Sequence, residues 1–316
     1  MKILVTCPPM LRAIDRFRGR FGELGYELST PDVSQILPEA ELIDLVPQFD
    51  GWIIGDDPAT AAVFEAGKAG RLRAAVKWGV GVDNVDFAAC KRLDIPIANT
   101  PGMFGREVAD MAMGYVIALA RELFAVHQGI REGNWPKPPG ISLAGKTVGL
   151  AGFGDIGRNT ARRLLASEMR VVAYDPYFQP APGLEAVVSA KWPERIEEAD
   201  FLVFTCALTP SSRHMLGARE LDLAKPGVRI VNVARGPLID EAALAAALAS
   251  GRVRSAALDV FEVEPLPMNS PLRGFDQCLF GSHNGSNTID AVVRTSERAI
   301  ELLDGFLRAP ASAVAS

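Results

Sequence analysis

The sequence predicts an α/β protein built from two doubly wound parallel sheets. Short apolar strands alternate with helical segments along most of the chain, a pattern typical of parallel sheets covered by helices. A glycine-rich motif at 152–157 lies in the middle of the chain, so the strands before it form a separate sheet from those after it. A length of 316 residues is in keeping with two domains.

The strands of both sheets are recognised as short apolar runs bounded by turn residues. Those of the first sheet are KILVTC (2–7), YELST (26–30), DGWIIG (50–55), AAVKWGV (74–80) and IPIANT (95–100). Those of the second are KTVGLA (146–151), VVAYD (171–175), FLVFTCA (201–207), RIVNVA (229–234), SAALDV (255–260) and CLFGS (278–282). Predicted helices are MAMGYVIALA (111–120), RNTARRLLAS (158–167), IDEAALAAALASGRV (239–253) and IDAVVRTSERAIELLDGFL (289–307).

The central motif is a G-x-G-x-x-G formed by Gly152, Gly154 and Gly157, between a predicted strand and a predicted helix. The first glycine permits a tight turn, the second lets the backbone approach a pyrophosphate, and the third lets helix pack on strand. The helix N-terminus then faces the phosphate charge. We therefore expect the whole motif to bind a dinucleotide: Gly152, Phe153, Gly154, Asp155, Ile156 and Gly157.

Asp175 ends the next strand, eighteen residues after Gly157. A carboxylate there accepts hydrogen bonds from the adenosine ribose hydroxyls and repels a 2′-phosphate. The following Pro176 and Tyr177 supply no cation for that phosphate. The sequence therefore favours NAD over NADP as the cofactor.

Composition indicates a cytoplasmic protein of the globular class. The formal net charge of −5 argues against a nucleic-acid or anionic-membrane partner. The N-terminal apolar run is short and closed by prolines, so we interpret it as a first strand and not a signal peptide. The four cysteines have neither disulfide-motif nor metal-ligand spacing, which fits a reducing compartment and no metal.

Polar side chains follow three strands of the second sheet where a ligand of an open parallel sheet would bind. Arg235 follows one strand, Asp259 and Glu264 follow the next, and His283 follows the last. With bound NAD, this set suggests hydride transfer to a 2-keto acid. Arg235 would bind the substrate carboxylate. His283 would exchange a proton with the carbonyl oxygen, and Glu264 would orient His283 and favour its imidazolium form.

Six stretches in order along the chain resemble the D-isomer-specific 2-hydroxyacid dehydrogenases, in their phosphoglycerate dehydrogenase and glyoxylate-hydroxypyruvate reductase branch. They are VGVDNVD (80–86), NTPG (99–102), GFGDIG (152–157), VNVARGPLIDEAAL (231–244), ALDVFEVEPLP (257–267) and HNGSNT (283–288). The resemblance implies catalytic roles for Arg235, Glu264 and His283.

The resemblance also implies further contacts and an organisation. It places Asp259 near the nicotinamide amide, adds Ala234 and Gly285 as cofactor contacts, and implicates the backbone of Val80 and Gly81 in binding the substrate carboxylate. It implies a flavodoxin-like substrate domain (1–98 and 288–316), a Rossmann NAD-binding domain (99–287), and a homodimer.

The chain departs from the family pattern at two positions. Ser282 precedes the histidine where proline is usual, and Asp110 stands where glutamate is frequent. The remaining histidines, His127 and His214, are interpreted as a surface or interface residue and a loop hydrogen-bonding residue.

The sequence leaves the substrate open. A phosphorylated substrate needs a cation in the first domain, yet the loop after DGWII reads Gly55-Asp56-Asp57, and two carboxylates there would repel a phosphate. We therefore favour a small 2-keto acid such as glyoxylate, hydroxypyruvate or pyruvate over 3-phosphoglycerate oxidation in serine synthesis. An NAD-sensing corepressor or scaffold is the alternative of another class, and the lack of long interaction tails favours the enzyme.

Overall fold

The computed structural model describes residues 1–309, and the chain divides into two compact α/β units. The first unit is Met1–Phe104 together with Asn287–Ser316, and the second is Gly105–Ser286. Residues 310–316, the end of the segment predicted as 288–316, lie outside the described part of the chain.

The sheet of the first unit has five parallel strands in the order β2-β1-β3-β4-β5. The strands are β1 (Lys2–Val5), β2 (Glu27–Ser29), β3 (Gly51–Ile54), β4 (Ala74–Lys77) and β5 (Ile97–Asn99). Every residue of β3 and β4 is buried, because helices cover both faces of a parallel sheet. This strand order confirms the predicted flavodoxin-like arrangement.

Five helices connect these strands: α1 (Pro8–Arg12), α2 (Asp15–Glu23), α3 (Glu39–Leu45), α4 (Ala61–Ala69) and α5 (Phe87–Arg92). Side-chain caps fix where two of them begin. The Thr60 hydroxyl accepts a hydrogen bond at the start of α4, and the Asp86 carboxylate accepts one from Ala89 N at 2.8 Å at the start of α5. In the core, Trp52 of β3 and Phe64 of α4 pack with their ring centroids 5.9 Å apart.

The second unit contains a seven-stranded parallel sheet in the order β12-β11-β10-β9-β6-β7-β8. Its strands are β6 (Thr147–Ala151), β7 (Arg170–Tyr174), β8 (Val188–Ser189), β9 (Phe201–Phe204), β10 (Val228–Asn232), β11 (Val253–Leu258) and β12 (Cys278–Phe280). The chain builds outward from β6 to β8 and then crosses back to β9 on the other side of β6. This reversal is the switch point at which such sheets bind ligands, and the predicted Rossmann arrangement is confirmed.

The helices of the second unit are α6 (Gly105–Arg121), α7 (Leu123–Arg131), α8 (Asp155–Ala166), α9 (Ala218–Leu223) and α10 (Glu241–Ala249). The sequence did not predict the two-residue edge strand β8, which is too short to give an apolar pattern. At α10, the Asp240 carboxylate caps the start by accepting from Ala243 N at 3.0 Å.

After the second unit the chain returns to the first as α11 (Ile289–Arg308). Its apolar face buries Ala291, Ile300 and Leu303. The helix is also tied to the end of β4, because Trp78 Nε1 donates a hydrogen bond to Ser296 Oγ at 3.1 Å. Among residues 1–309, no helix is both long and apolar enough to cross a membrane.

Candidate active site

The glycine motif joins β6 to α8 at the switch point of the second sheet. Gly152 has a φ of +95°, and a Cβ there would lie 2.6 Å from the backbone nitrogen of Cys206. Gly157 packs so closely on the carbonyl of Gly152 that a side chain would collide with it. Gly154 is exposed, and no heavy atom lies within 4 Å of the position a Cβ would take. Packing thus requires the outer two glycines, while the middle one leaves open space before the helix N-terminus.

Asp175 follows β7 and is held beside this motif by two backbone hydrogen bonds. Its Oδ2 accepts from Phe153 N at 2.6 Å, and its Oδ1 accepts from Tyr177 N at 2.8 Å. Each oxygen has a further lone pair for a ribose hydroxyl. An open approach to a helix N-terminus with a fixed carboxylate at the next strand end fits an NAD molecule.

Arg235 lies just beyond β10, on a segment that a buried asparagine holds in place. Asn232 Nδ2 donates to Arg235 O at 2.8 Å, and Asn232 Oδ1 accepts from Ala234 N at 3.1 Å. The half-buried Arg235 side chain folds back so that Nη1 donates to Ala234 O at 2.8 Å. Sequence reasoning did not assign a role to Asn232, although a polar residue at the end of an apolar strand was the available signal.

Glu264 and His283 form a close pair. His283 Nδ1 lies 2.7 Å from Glu264 Oε2, and Glu264 Oε1 accepts a hydrogen bond from Phe261 N at 2.9 Å. Both side chains are about a quarter exposed, at 22% and 24% for glutamate and histidine. One carboxylate oxygen is therefore anchored to the backbone while the other holds the imidazole.

The backbone around His283 is pinned to the end of β11. His283 N donates to Asp259 O at 2.6 Å, and Gly285 N donates to Asp259 Oδ2 at 2.8 Å. Asp259 is only 1% exposed, so its carboxylate is buried beneath the 281–285 loop. His283 itself has a φ of +55°, a left-handed conformation that few non-glycine residues adopt.

The catalytic candidates thus follow three neighbouring strands of one sheet. Arg235 follows β10, Asp259 and Glu264 follow β11, and His283 follows β12. Because parallel strands end at the same edge, these side chains belong to one edge of the second sheet, which is the edge that carries the glycine motif after β6.

Val80 and Gly81 lie in the first unit, on the loop after β4. Val80 is 39% exposed, and its carbonyl accepts a hydrogen bond from Asn99 Nδ2 at 3.0 Å. Asn84 joins this loop to the one after β3, because its Nδ2 donates to Gly55 O at 3.1 Å and to Asp57 O at 2.6 Å.

The loop after β3 differs from the expectation that two carboxylates would face a substrate. Asp57 is fully buried and accepts hydrogen bonds from Thr6 Oγ1, from Leu37 N at 2.9 Å and from Gly55 N at 3.1 Å. Burial raises the pKa of the Asp57 carboxyl, while these donors act in the opposite direction. The expectation is wrong for Asp57, because three donors draw its carboxylate into the core.

Asp56 remains partly exposed and is paired with a buried lysine that sequence reasoning overlooked. Lys77 Nζ lies 3.0 Å from Asp56 Oδ1 and 2.5 Å from Gly55 O, and its side chain is 2% exposed. A lysine inside the apolar run of β4 was the signal in the sequence. The charges of this pair offset each other, so the loop is less anionic than its sequence suggests.

The other histidines lie elsewhere. His127 is exposed on α7. His214 lies in a turn, where its Nε2 is 3.1 Å from Glu262 Oε1. His214 thus pairs with a different carboxylate from the one that holds His283.

Comparison with known proteins gives a consistent result. Residues 113–285 match the family described as D-isomer specific 2-hydroxyacid dehydrogenase, NAD binding domain. A hydroxypyruvate reductase from Thermotoga maritima is 37% identical over 85% of this chain and 88% of the relative. A D-3-phosphoglycerate dehydrogenase from Methanocaldococcus jannaschii is 36% identical over 98% of this chain, which spans 58% of that enzyme. The crystal structure of the TT0316 protein from Thermus thermophilus superposes with a TM-score of 0.85 at 32% identity, covering 97% of both chains.

The glycine motif and the match to this family define an NAD-binding oxidoreductase. The chain belongs to the D-isomer specific 2-hydroxyacid dehydrogenase family, as its six motifs predict.

Proposed function

We propose that this protein reversibly reduces a small, unphosphorylated 2-keto acid of the glyoxylate, hydroxypyruvate or pyruvate type, using NADH. The observation that carries the proposal is the 2.7 Å pairing of Glu264 with His283 on the sheet edge where Arg235 also follows a strand. An acid–base group oriented by a carboxylate, together with an arginine suited to a carboxylate, is what reduction of a 2-keto acid requires.

His283 is the proton donor in the direction of reduction. Its imidazolium gives a proton from Nε2 to the substrate carbonyl oxygen and becomes neutral, and in the reverse direction it accepts that proton. Glu264 holds Nδ1, which fixes the ring orientation and stabilises the charged form. Because Glu264 is itself anchored by Phe261 N, the pair changes protonation without losing its geometry.

Arg235 binds the substrate carboxylate and polarises the adjacent carbonyl. Its planar guanidinium matches the two oxygens of a carboxylate, and Asn232 holds its backbone in place. The backbone N–H groups of Val80 and Gly81 are further candidate donors to a substrate carboxylate, since Val80 is exposed on its loop.

The residues of the second unit hold the cofactor in this proposal. The backbone of the glycine motif accommodates the pyrophosphate at the open side of Gly154. The Asp175 carboxylate accepts hydrogen bonds from the ribose hydroxyls. Ala234, Asp259 and Gly285 are the further proposed contacts. When bound, NAD supplies or accepts the hydride, and the protein supplies orientation, proton transfer and exclusion of water.

Oxidation of 3-phosphoglycerate is the second candidate, and one observation favours it. Lys77 places a buried cation at the end of β4, two residues before Gly79. Against it, Asp56 lies 3.0 Å from the lysine ammonium, and its carboxylate would repel a phosphate that approached this cation. We therefore retain the unphosphorylated substrate class.

We also propose that the protein is a cytoplasmic homodimer. Three apolar side chains on or next to α7, those of Leu123, Phe124 and Ile130, are each between 43% and 51% exposed. A second copy that covers them would remove apolar surface from water. The four cysteines are free thiols, in keeping with a reducing compartment.

NADH oxidation with a panel of 2-keto acids tests the proposal. Glyoxylate, hydroxypyruvate and pyruvate are compared with 3-phosphohydroxypyruvate at equal concentration, and the expected result is a higher kcat/KM for one of the unphosphorylated acids. A higher kcat/KM for the phosphorylated acid would instead support oxidation of 3-phosphoglycerate in serine synthesis. No oxidation with any of the four would contradict the proposed function.

A further inference from the structure

A tyrosine from a different part of the chain reaches the carboxylate beneath the His283 loop. Tyr115 lies on α6 and is 8% exposed, and its hydroxyl donates a hydrogen bond to Asp259 Oδ1 at 3.3 Å. The other carboxylate oxygen accepts from Gly285 N at 2.8 Å. The buried Asp259 thus has one donor from α6 and one from the loop that carries His283.

Gly281 provides the space for this arrangement. A Cβ at Gly281 would lie 2.5 Å from the Tyr115 hydroxyl oxygen and would also collide with Asp259 Oδ1. The volume under the loop that a side chain at 281 would fill is therefore occupied by the tyrosine hydroxyl and the aspartate carboxylate. The contact between them depends on the absence of a side chain at this one position.

The tyrosine hydroxyl keeps its proton and acts as the donor of this bond. Burial raises the pKa of Tyr115, and the neighbouring Asp259 charge raises it further. The phenolate form is accordingly absent near neutral pH, and the O–H group is always available to the carboxylate.

The loop needs such anchoring because His283 has a left-handed backbone. Conformations of this kind are unfavourable for a non-glycine residue and persist only when surrounding contacts determine them. Those contacts are the bonds from Gly281 N to Leu258 O at 2.8 Å, from His283 N to Asp259 O at 2.6 Å, and from Gly285 N to the Asp259 carboxylate. Two of the three end on Asp259, one on its backbone carbonyl and one on the carboxylate that Tyr115 also contacts, so the orientation of that carboxylate positions the Gly285 end of the loop.

We propose that Tyr115 is a positioning residue for the acid–base histidine: it fixes Asp259, which fixes the loop and thereby the pairing of His283 with Glu264. The inference rests on the proposed function for its catalytic consequence, but the anchoring itself is a property of the protein without cofactor. Nothing in the six family motifs assigns a role to Tyr115, and the sequence pattern of α6 marks it only as a core residue.

Tyr115→Phe is the direct test, because it removes one hydroxyl and keeps the ring in the core. Tyr26→Phe is the matched control: Tyr26 is also buried, and its hydroxyl donates to an aspartate, Asp304, at 2.6 Å in the first unit. We expect kcat for keto-acid reduction to fall by about five- to tenfold in Tyr115→Phe, the usual net worth of one ordinary intramolecular hydrogen bond, because the 3.3 Å contact is long and acts on His283 only through Asp259. The activity of Tyr26→Phe should stay within about twofold of the parent.

Two readouts separate positioning from a general loss of stability. First, loosening of the Glu264 pairing should move the loss of reductive activity to lower pH in Tyr115→Phe and not in Tyr26→Phe. Second, in the cofactor-free protein, amide hydrogen exchange of 281–285 should become faster in Tyr115→Phe alone. An unchanged pH profile or unchanged exchange at 281–285 would overturn the proposal.

A double-mutant cycle with Asp259→Asn tests the route of the effect. If Tyr115 acts through Asp259, the loss of kcat in the double variant should be close to that of Asp259→Asn alone, whereas fully additive losses would overturn that route. A parent enzyme that reduces none of the keto acids would contradict the proposed function but not the anchoring. In that case hydrogen exchange at 281–285 alone supports or overturns the role of Tyr115.

Discussion

Nδ1 of His283 lies 2.7 Å from Oε2 of Glu264, and the second oxygen of that carboxylate is bonded to the backbone N–H of Phe261. The carboxylate is thus fixed before it meets the imidazole. In a partly buried site a fixed negative charge stabilises the imidazolium more than a mobile exposed one would. In the proposed mechanism this pair is the proton donor, and the fixed carboxylate favours the charged form of the ring.

Glu264→Gln should narrow the pH range of keto-acid reduction. The amide can still accept a hydrogen bond but carries no charge, so the imidazolium of His283 loses its electrostatic stabilisation. Since the protonated histidine is the form that delivers the proton, reductive activity should decline at lower pH than in the parent. The profile of kcat/KM against pH for both proteins measures this.

Glu262→Gln is the matched control, because the Glu262 carboxylate lies 3.1 Å from His214, whereas the Glu264 carboxylate pairs with His283. Its profile should follow that of the parent. Superimposable profiles for Glu264→Gln and the parent would show that the Glu264 charge does not act on the proton donor.

The parent should prefer NAD over NADP by at least about tenfold in kcat/KM, which corresponds to about 1.4 kcal/mol. Asp175 is held by Phe153 N and Tyr177 N, so it cannot turn away from a 2′-phosphate without losing both bonds. Asp175→Ser should reduce this preference, because it removes the repulsive charge. Steady-state kinetics with both cofactors measure this preference. Equal kcat/KM values for NAD and NADP in the parent would refute the role given to Asp175.

Asp56→Asn should weaken discrimination against 3-phosphohydroxypyruvate. The substitution removes the carboxylate that lies 3.0 Å from Lys77 and leaves the lysine charge without that counter-charge. One unit of charge near a phosphate is worth about 1 kcal/mol, or about fivefold in the KM for the phosphorylated acid. The KM for hydroxypyruvate should barely change.

Glu65→Gln serves as control for that experiment, since Glu65 is an exposed carboxylate of the first unit whose nearest ion-pair partner is 4.0 Å away. It should change neither KM. If Asp56→Asn also leaves the KM for the phosphorylated acid unchanged, the loop after β3 does not exclude the phosphate.

Local pattern predicted those parts of the site that depend on local geometry. Roles in dinucleotide binding could be assigned to Gly152, Gly157 and Asp175 because a tight turn, a helix N-terminus and the end of the next strand all fall within 24 residues, from 152 to 175. The alternation of strands and helices likewise predicted two parallel sheets. These features need no knowledge of distant contacts.

The contacts that join remote segments could not be predicted from pattern. Tyr115 and Asp259 are 144 residues apart, and helical periodicity marks Tyr115 only as buried. Asp57 looked like an exposed loop carboxylate, yet the donors Thr6 and Leu37 lie on other segments and draw it into the core. Tertiary packing decides which polar group is buried against a partner, and local sequence pattern does not reveal it.

Replacing His283 by Ala tests the central claim most directly. We expect kcat for the best keto acid to fall by about 10²–10⁴-fold, the usual contribution of a positioned proton donor. NADH affinity should change little, because in the proposed binding mode the glycine motif and Asp175 hold most of the cofactor. His127→Ala and His214→Ala are the controls and should retain most of their activity, since His127 is exposed on α7 and His214 pairs with Glu262. A His283→Ala protein that reduces the keto acid at the parental rate would contradict the account.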